Sequence, residues 1–216
     1  MSLTAKGLRF AYPGGAQIID GLDLHVPPGA SAAITAPSGT GKSTLLALLG
    51  GLRRPTDGTV MIDEDALHLR PTVAWVFQAM HLLGRRTAVE NAALGALARG
   101  ASRTEAFSAA EEELARFGVV HLAGRQQRTL SGGESQRVAL ARAAVADPLV
   151  VLADEPTANL DRHNADHVID VLMTGFPRAA LVVATHDAAV AAAAGVAYEL
   201  VDGRLTVSSR PRVLGQ

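Results

Sequence analysis

The stretch Ala36-Pro37-Ser38-Gly39-Thr40-Gly41-Lys42-Ser43-Thr44 constrains the fold more than any other, because it runs from an apolar strand, Ser31 to Thr35, into a helix predicted over Ser43 to Leu49. Its glycines let consecutive backbone N–H groups turn toward one point, with the positive end of a helix dipole behind them. Such a loop suits a polyphosphate. The amides wrap the β-phosphate, Lys42 reaches the β- and γ-oxygens, and the Ser43 hydroxyl is placed for Mg²⁺. Pro37, Ser38, Gly39, Thr40, Gly41, Lys42, Ser43 and Thr44 are therefore candidate nucleotide-contacting residues. The strict pattern has Gly where Ala36 stands, which predicts a strained φ or an altered loop entry at a cost of about 1 kcal/mol. The competing reading is a Gly-rich strand-to-helix loop with a surface lysine. Against it, of 20 basic residues only Lys6 and Lys42 are lysine.

The rest of the chain reads as a mixed α/β protein with an antiparallel start. Gly7 to Tyr12, Leu22 to Val26 and Ser31 to Thr35 are short strands separated by Pro13-Gly14-Gly15 and Pro27-Pro28-Gly29 turns. After the phosphate loop come strands at Thr59 to Ile62 and Thr72 to Phe77. Residues 79–130 carry two helical patterns, Ala88 to Arg99 and Arg103 to Phe117, with Ser102 and Glu105 in capping-box spacing before the second. This is an inserted helical subdomain within one domain spanning 1–216, the β subdomain and core being 1–78 and 131–216. The order then runs helix (Glu134 to Ala146), strand (Leu149 to Ala153), helix (Asn164 to Thr174), strand (Ala179 to Ala184) and helix (Ala188 to Ala194). A hairpin around Asp202-Gly203 closes the chain.

Composition excludes several classes. With 216 residues and 48% apolar content the chain has enough to bury a core. The longest apolar run, Ala188 to Ala197, falls well short of the roughly 20 residues that span a bilayer. Met1 to Leu8 has no apolar h-region behind Lys6, so no secretory leader is predicted. With no Cys, disulfides and thiolate metal sites are absent. The formal net charge is −1 and the arginines are scattered, so nothing favours a nucleic-acid partner.

Two later motifs carry chemistry. In Leu130-Ser131-Gly132-Gly133-Glu134, Ser131 is a natural N-cap with Glu134 three residues on, and the glycines bare the first helical N–H groups: a second anion site, or simply a well-formed helix start. Leu149 to Ala153 then runs straight into Asp154-Glu155-Pro156-Thr157. A buried strand ending in two carboxylates places them at the C-terminal edge of a parallel sheet, where open α/β folds bind ligands. Adjacent carboxylates repel, which argues for a cation.

These residues resemble the nucleotide-binding subunit of ATP-binding cassette (ABC) transporters, and the resemblance covers essentially the whole chain. The family's motifs occur in order: Tyr12, the loop Ala36 to Thr44, Gln78, Leu130 to Glu134, Asp154-Glu155, Ala158-Asn159-Leu160-Asp161, and His186 after Ala184-Thr185. The resemblance implies an α/β P-loop NTPase core with a mixed parallel sheet, an N-terminal antiparallel β subdomain and an inserted α-helical subdomain. It implies ATP and Mg²⁺, with Tyr12 stacking on adenine, and Ser43, Gln78 and Asp154 toward the metal. Glu155 is similar to the general base, His186 to the γ-phosphate contact, and Gln78 to the residue that touches Mg²⁺ or water and senses the membrane partner. Ser131, Gly132, Gly133, Glu134 and Asp161 would serve the site of a second copy, so that ATP joins two chains head to tail. Each of these residues also has a plain structural role open to it: a strand tyrosine, a turn glutamine, a structural histidine, a helix-cap aspartate.

Gly50 to Gly58, His81-Leu82-Leu83 with Thr87 to Asn91, and Ala153 to Asp161 are most similar to the lipoprotein-releasing and macrolide-exporter branch, although Asp63 to Val76 is shorter than that branch carries. The expected partners are a transmembrane permease subunit, met near Gln78 with Leu82 and Leu83 as candidate contacts, and a second nucleotide-binding subunit, in a homodimer. The expected location is the cytoplasm, peripheral on the cytoplasmic face of the membrane. The alternatives are a regulatory or cell-division clamp that moves no substrate, and a cassette acting on DNA or ribosomes.

Overall fold

The computed structural model describes residues 1–63, 65–66 and 73–209. Thr72, expected to open a strand, lies outside the described residues, as does part of the segment 63–76.

Two sheets form the frame. The first is antiparallel, in the order β2 (Gln17–Val26), β1 (Leu3–Ala11), β4 (Asp57–Ile62), β5 (Asp65–Ala66). The second has six strands, β10 (Arg204–Ser209), β9 (Val196–Val201), β3 (Ser31–Thr35), β8 (Ala180–Thr185), β7 (Val150–Asp154) and β6 (Val73–Val76). It is parallel from β9 to β6, with β10 folded back antiparallel on β9. The hairpin turn has Asp202 at φ 48° and Gly203 at φ 76°, the two positive angles a two-residue Asp-Gly turn requires.

Strands β1 and β2 begin earlier than their hydrophobic pattern predicts, and the reason is a change of parity. Buried residues fall at Leu3 and Ala5, then at Leu8 and Phe10, and on β2 at Ile19, then at Leu22, Leu24 and Val26. Each switch coincides with a glycine at positive φ, Gly7 (56°) and Gly21 (67°), and with a shift in pairing between the strands. The extra residue in each bulge turns the following side chains back onto the core face.

The central strands are buried on both faces. Val150, Leu152, Val182 and Ala184 pack with β1, β2 and α1 (Lys42–Leu49), whereas Val151, Ala153, Leu181 and Val183 pack with the helices of the other face. That second core is continuous from the sheet through α4 (Gly132–Val145) and α5 (Arg162–Thr174) to α2 (Ala88–Leu97) and α3 (Arg103–Arg116). At Gly95 of α2 the helices approach closely, since a Cβ there would stand 2.3 Å from the Arg142 carbonyl oxygen of α4. A short helix, α6 (Ala188–Ala193), follows β8. Capping boxes open α3 (Ser102 with Glu105) as expected, and also α2, where Thr87 and Glu90 form one.

Candidate active site

The loop after β3, the C-terminal end of β7 and the turn after β6 meet in an open cleft of about 400 Å³, lined by Tyr12, Ile18, Ser38, Gly39, Gly41, Lys42, Ser43, Thr44, Gln78, Asp154 and Glu155; His186, after β8, is not among the lining residues. Eight candidates from the first half of the sequence and both strand-end carboxylates are thus brought together.

The phosphate loop is shaped by Gly39 (φ 83°) and Gly41 (φ 105°), the latter capping α1. A side chain at Gly41 would meet strain twice over, since its Cβ would lie 2.5 Å from Ile18 Cγ2. Ala36, by contrast, is not among the residues at positive φ, and its methyl is buried in the apolar core. The strain expected there is absent: this loop enters with ordinary backbone geometry and needs no glycine at that point. Pro37 contributes its carbonyl, which accepts from Thr40 Oγ1 at 2.7 Å. Lys42 is only 7% exposed, and its ammonium donates to the Ala36 carbonyl at 2.7 Å and to the Pro37 carbonyl at 3.3 Å. A buried cation is tolerable because oxygens surround it.

Glu155 is the convergence point. Its backbone takes the left-handed angle φ 48°, unusual for a side chain of that size and a cost of order 1–3 kcal/mol unless the surroundings hold it. They do. Its N–H donates to the Ala184 carbonyl at 2.8 Å, its Oε2 accepts from the His186 N–H at 3.2 Å and lies 2.9 Å from His186 Nδ1, and its Oε1 is 3.6 Å from Lys42 Nζ. The twist at residue 155 turns this carboxylate across the cleft while Asp154 stays at the end of β7. Asp154, the Ser43 hydroxyl and the Gln78 amide oxygen form an all-oxygen set on one cleft, and Ser43 and Gln78 are exposed. That donor set fits a hard divalent cation such as Mg²⁺, which keeps several waters and shares its remaining positions with phosphate oxygens.

Tyr12 is 38% exposed at the mouth of the cleft. Its hydroxyl bonds to Thr44 Oγ1 at 3.2 Å, Phe10 meets its ring edge-on, and the Arg53 guanidinium sits 4.8 Å from the ring centre.

The second motif lies elsewhere. None of Ser131, Gly132, Gly133 or Glu134 is among the described residues lining this cleft. Ser131 caps α4: its N–H donates to Glu134 Oε2 at 2.7 Å, and its Oγ accepts from the Glu134 N–H at 3.3 Å. That backbone donor, with the nearby Ser131 hydroxyl and Arg125 and Arg137, holds the Glu134 carboxyl below its ordinary pKa. Gly133 has a packing reason as well, because a Cβ there would lie 2.5 Å from Asn164 Oδ1. Asp161 caps α5, accepting from the Asn164 N–H at 2.9 Å and the Asn164 amide at 2.7 Å, and these bonds lower its pKa. Asn164 thereby links Asp161 to the second motif. The helix-cap role open to Asp161 from sequence is the one it fills within this chain.

Two side-chain roles were not visible in the sequence. Asn91, fully buried, accepts from the Leu83 N–H and donates to the carbonyls of Leu83, Arg86 and Thr87. Arg142 donates to the carbonyls of Met80 and His81, and burial pushes its pKa down. Together they fasten the segment after Gln78 to α2 and α4. A buried Asn on a helix start was the only signal available. Leu82 packs against the core and Leu83 is 50% exposed, so the two candidate contacts separate.

The sequence matches the model of the ABC transporter family over residues 19–158. It is 38% identical to a lipoprotein-releasing system ATP-binding protein, LolD 1, of Rhodopirellula baltica, over 96% of this chain and 97% of that protein. It is also 38% identical to the macrolide export ATP-binding/permease protein MacB of Rhodopseudomonas palustris, over 94% of this chain but 33% of that longer protein. Among solved structures, the dimeric ATP-binding cassette MJ0796, in a post-hydrolysis state bound to ADP and Pi, superposes with a TM-score of 0.82 at 32% identity, covering 99% of this chain and 100% of that one. Cleft, topology and sequence agree: the chain belongs to the ABC transporter family.

Proposed function

We propose that the chain binds and hydrolyses ATP and uses the closing and opening of a nucleotide-dependent dimer to power a separately encoded membrane transporter. The observation that carries this is the meeting of Lys42, Ser43, Asp154 and Glu155 in one cleft at the carboxyl ends of parallel strands. The loop amides and Lys42 hold the phosphates, Tyr12 offers its ring to the base, and Ser43, Asp154 and Gln78 hold Mg²⁺. Bound there, Mg²⁺ neutralises phosphate charge. Glu155 draws the proton from the attacking water and His186 orients the γ-phosphate.

The placement of Ser131 to Glu134 away from the cleft supports a split site in which this helix start faces the nucleotide of a second copy. Asp161, one helix turn before the Asn164 that packs against Gly133, belongs to the same face. Among the described residues no helix is long and apolar enough to cross a membrane. A permease, of the kind named with the cassette in the MacB relative, supplies the translocation path in this reading, with the chain on the cytoplasmic face of the membrane. The named activities of the relatives favour lipoprotein release or export. For the alternative, a regulatory or cell-division clamp that moves no substrate, the absence of a left-handed backbone at Ala36 gives no support to a catalytically weak phosphate loop.

The test is phosphate release by the purified full chain. Turnover of ATP that depends on Mg²⁺ and stops on chelation is expected; a chain that binds ATP but releases no phosphate would return the clamp reading. Purification of Glu155→Gln from membranes with ATP should bring down a multi-spanning protein.

A further inference from the structure

The two loops that present Glu155 and His186 are joined by contacts of three kinds, and they differ in what the reaction demands of them. The Glu155 N–H to Ala184 carbonyl bond extends the sheet ladder. The contacts of Glu155 Oε2 with the His186 N–H and Nδ1 both use the carboxylate that the hydrolytic reading turns to water, so that reading requires them to break. The third kind involves neither residue: Thr157 Oγ1 donates to Asp187 Oδ2 at 3.2 Å. Thr157 is 7% exposed and Thr185 is fully buried. Asp187 is itself fixed on both sides, since its N–H donates to Thr185 Oγ1 at 2.9 Å and its Oδ1 accepts from the Ala189 N–H at 2.9 Å.

From this geometry we infer that Thr157 and Asp187 are positioning residues that keep the His186 loop in register with Glu155 while the direct Glu155–His186 contacts break and re-form. The inference deepens the hydrolytic reading above and rests on it. The physical basis is placement: Asp187 follows His186 directly and Thr157 lies two residues after Glu155, so one shielded hydrogen bond sets the distance between the two backbones. A loss of register of about 1 Å at reacting groups costs turnover much more than binding. The nucleotide is held mainly by the phosphate loop, which this tie does not touch.

The experiment measures steady-state Mg-ATP hydrolysis by the full chain, with melting temperature and nucleotide affinity recorded for each variant. Thr157→Val, which keeps the shape and removes the hydroxyl, should lower kcat about tenfold with KM within about twofold. Thr157→Ser should restore kcat to within about threefold. Asp187→Ser keeps an N-cap acceptor for Ala189 but is too short to reach Thr157, so it should match the Thr157→Val loss and covers the case in which that variant does not fold. In a His186→Ala background, Thr157→Val should cost less than about twofold more, because its effect passes through His186. A merely structural bond would lower the melting temperature and give additive losses. Full-speed Asp187→Ser, an additive cycle, or no recovery with serine overturns the proposal alone. A wild-type chain with no Mg-ATP turnover overturns the hydrolytic reading, and this proposal with it.

Discussion

Lys42 Nζ stands 3.6 Å from Glu155 Oε1, so the cation proposed for phosphate and the carboxylate proposed for water face each other across the cleft. Both are largely shielded, with side-chain exposures of 8% and 15%. Each charge lowers the cost of burying the other. On the proposed function, a triphosphate entering the loop would compete with Glu155 for the ammonium and free the carboxylate.

Replacement of Glu155 by Gln removes the base while leaving the phosphate loop intact. Turnover should fall by about 10²–10⁴-fold, the usual weight of a general base. Affinity for ATP should hold or rise, because Lys42 no longer has a charged competitor. Single-turnover assays and gel filtration with ATP check both halves; near-normal turnover would sink the assignment.

Ala36→Gly restores the strict phosphate-loop pattern, yet the geometry predicts no gain. The methyl is buried and the backbone is not left-handed, so the substitution should cost about 1–2 kcal/mol of stability from lost burial and added chain freedom. Turnover should stay within about twofold of the parent. A melting curve and a phosphate-release assay decide it, and a faster Gly variant would mean that Ala36 does constrain the loop.

The two glycines of the second motif should separate. At Gly133 an added Cβ would lie 2.5 Å from Asn164 Oδ1, so Gly133→Ala should destabilise the fold by about 1–3 kcal/mol as α4 and α5 are forced apart. At Gly132 the nearest atom would be Leu160 Cδ2 at 3.2 Å, the end of a side chain that can give way. Gly132→Ala should therefore fold normally and lose ATP-driven dimerisation instead. Equal melting temperatures for both variants would contradict the packing argument.

Acid sensitivity should follow the capping carboxylates. Glu134 is held below its ordinary pKa, foremost by the Ser131 N–H, and Asp161 likewise by the Asn164 N–H. A depressed folded-state pKa contributes stability above the unfolded-state value, and that stability is lost as pH falls through the folded-state value. Glu134→Gln, which can still accept the Ser131 N–H, should thus melt below the parent at pH 7 and converge with it well below about pH 4, under the ordinary glutamate range. A gap that stays constant with pH would show that charge at residue 134 contributes nothing.

Much of the site was legible because its pieces are contiguous. The loop Ala36 to Thr44, the cap Ser131 with Glu134, and the strand ending in Asp154-Glu155 each need neighbouring residues in fixed order, since amide direction, capping and strand ends are local geometry. The helices α2 to α5 were legible from their patterns, and α3 and α4 also from their caps, whereas the Thr87–Glu90 box of α2 emerged only in the structure. The early starts of β1 and β2 were not, because the bulges at Gly7 and Gly21 break the alternation that marks a strand.

What the sequence determined by itself was therefore the set of phosphate-binding and acidic elements and the family they imply. Tertiary structure alone decided the pairings between them: Lys42 with Glu155, Glu155 with His186, Thr157 with Asp187, Gly133 with Asn164. The reason is strand order. Because β7 lies beside β8 and β8 beside β3, residues 30 or more apart in the chain reach one sheet edge, and no local pattern encodes which strands will be neighbours.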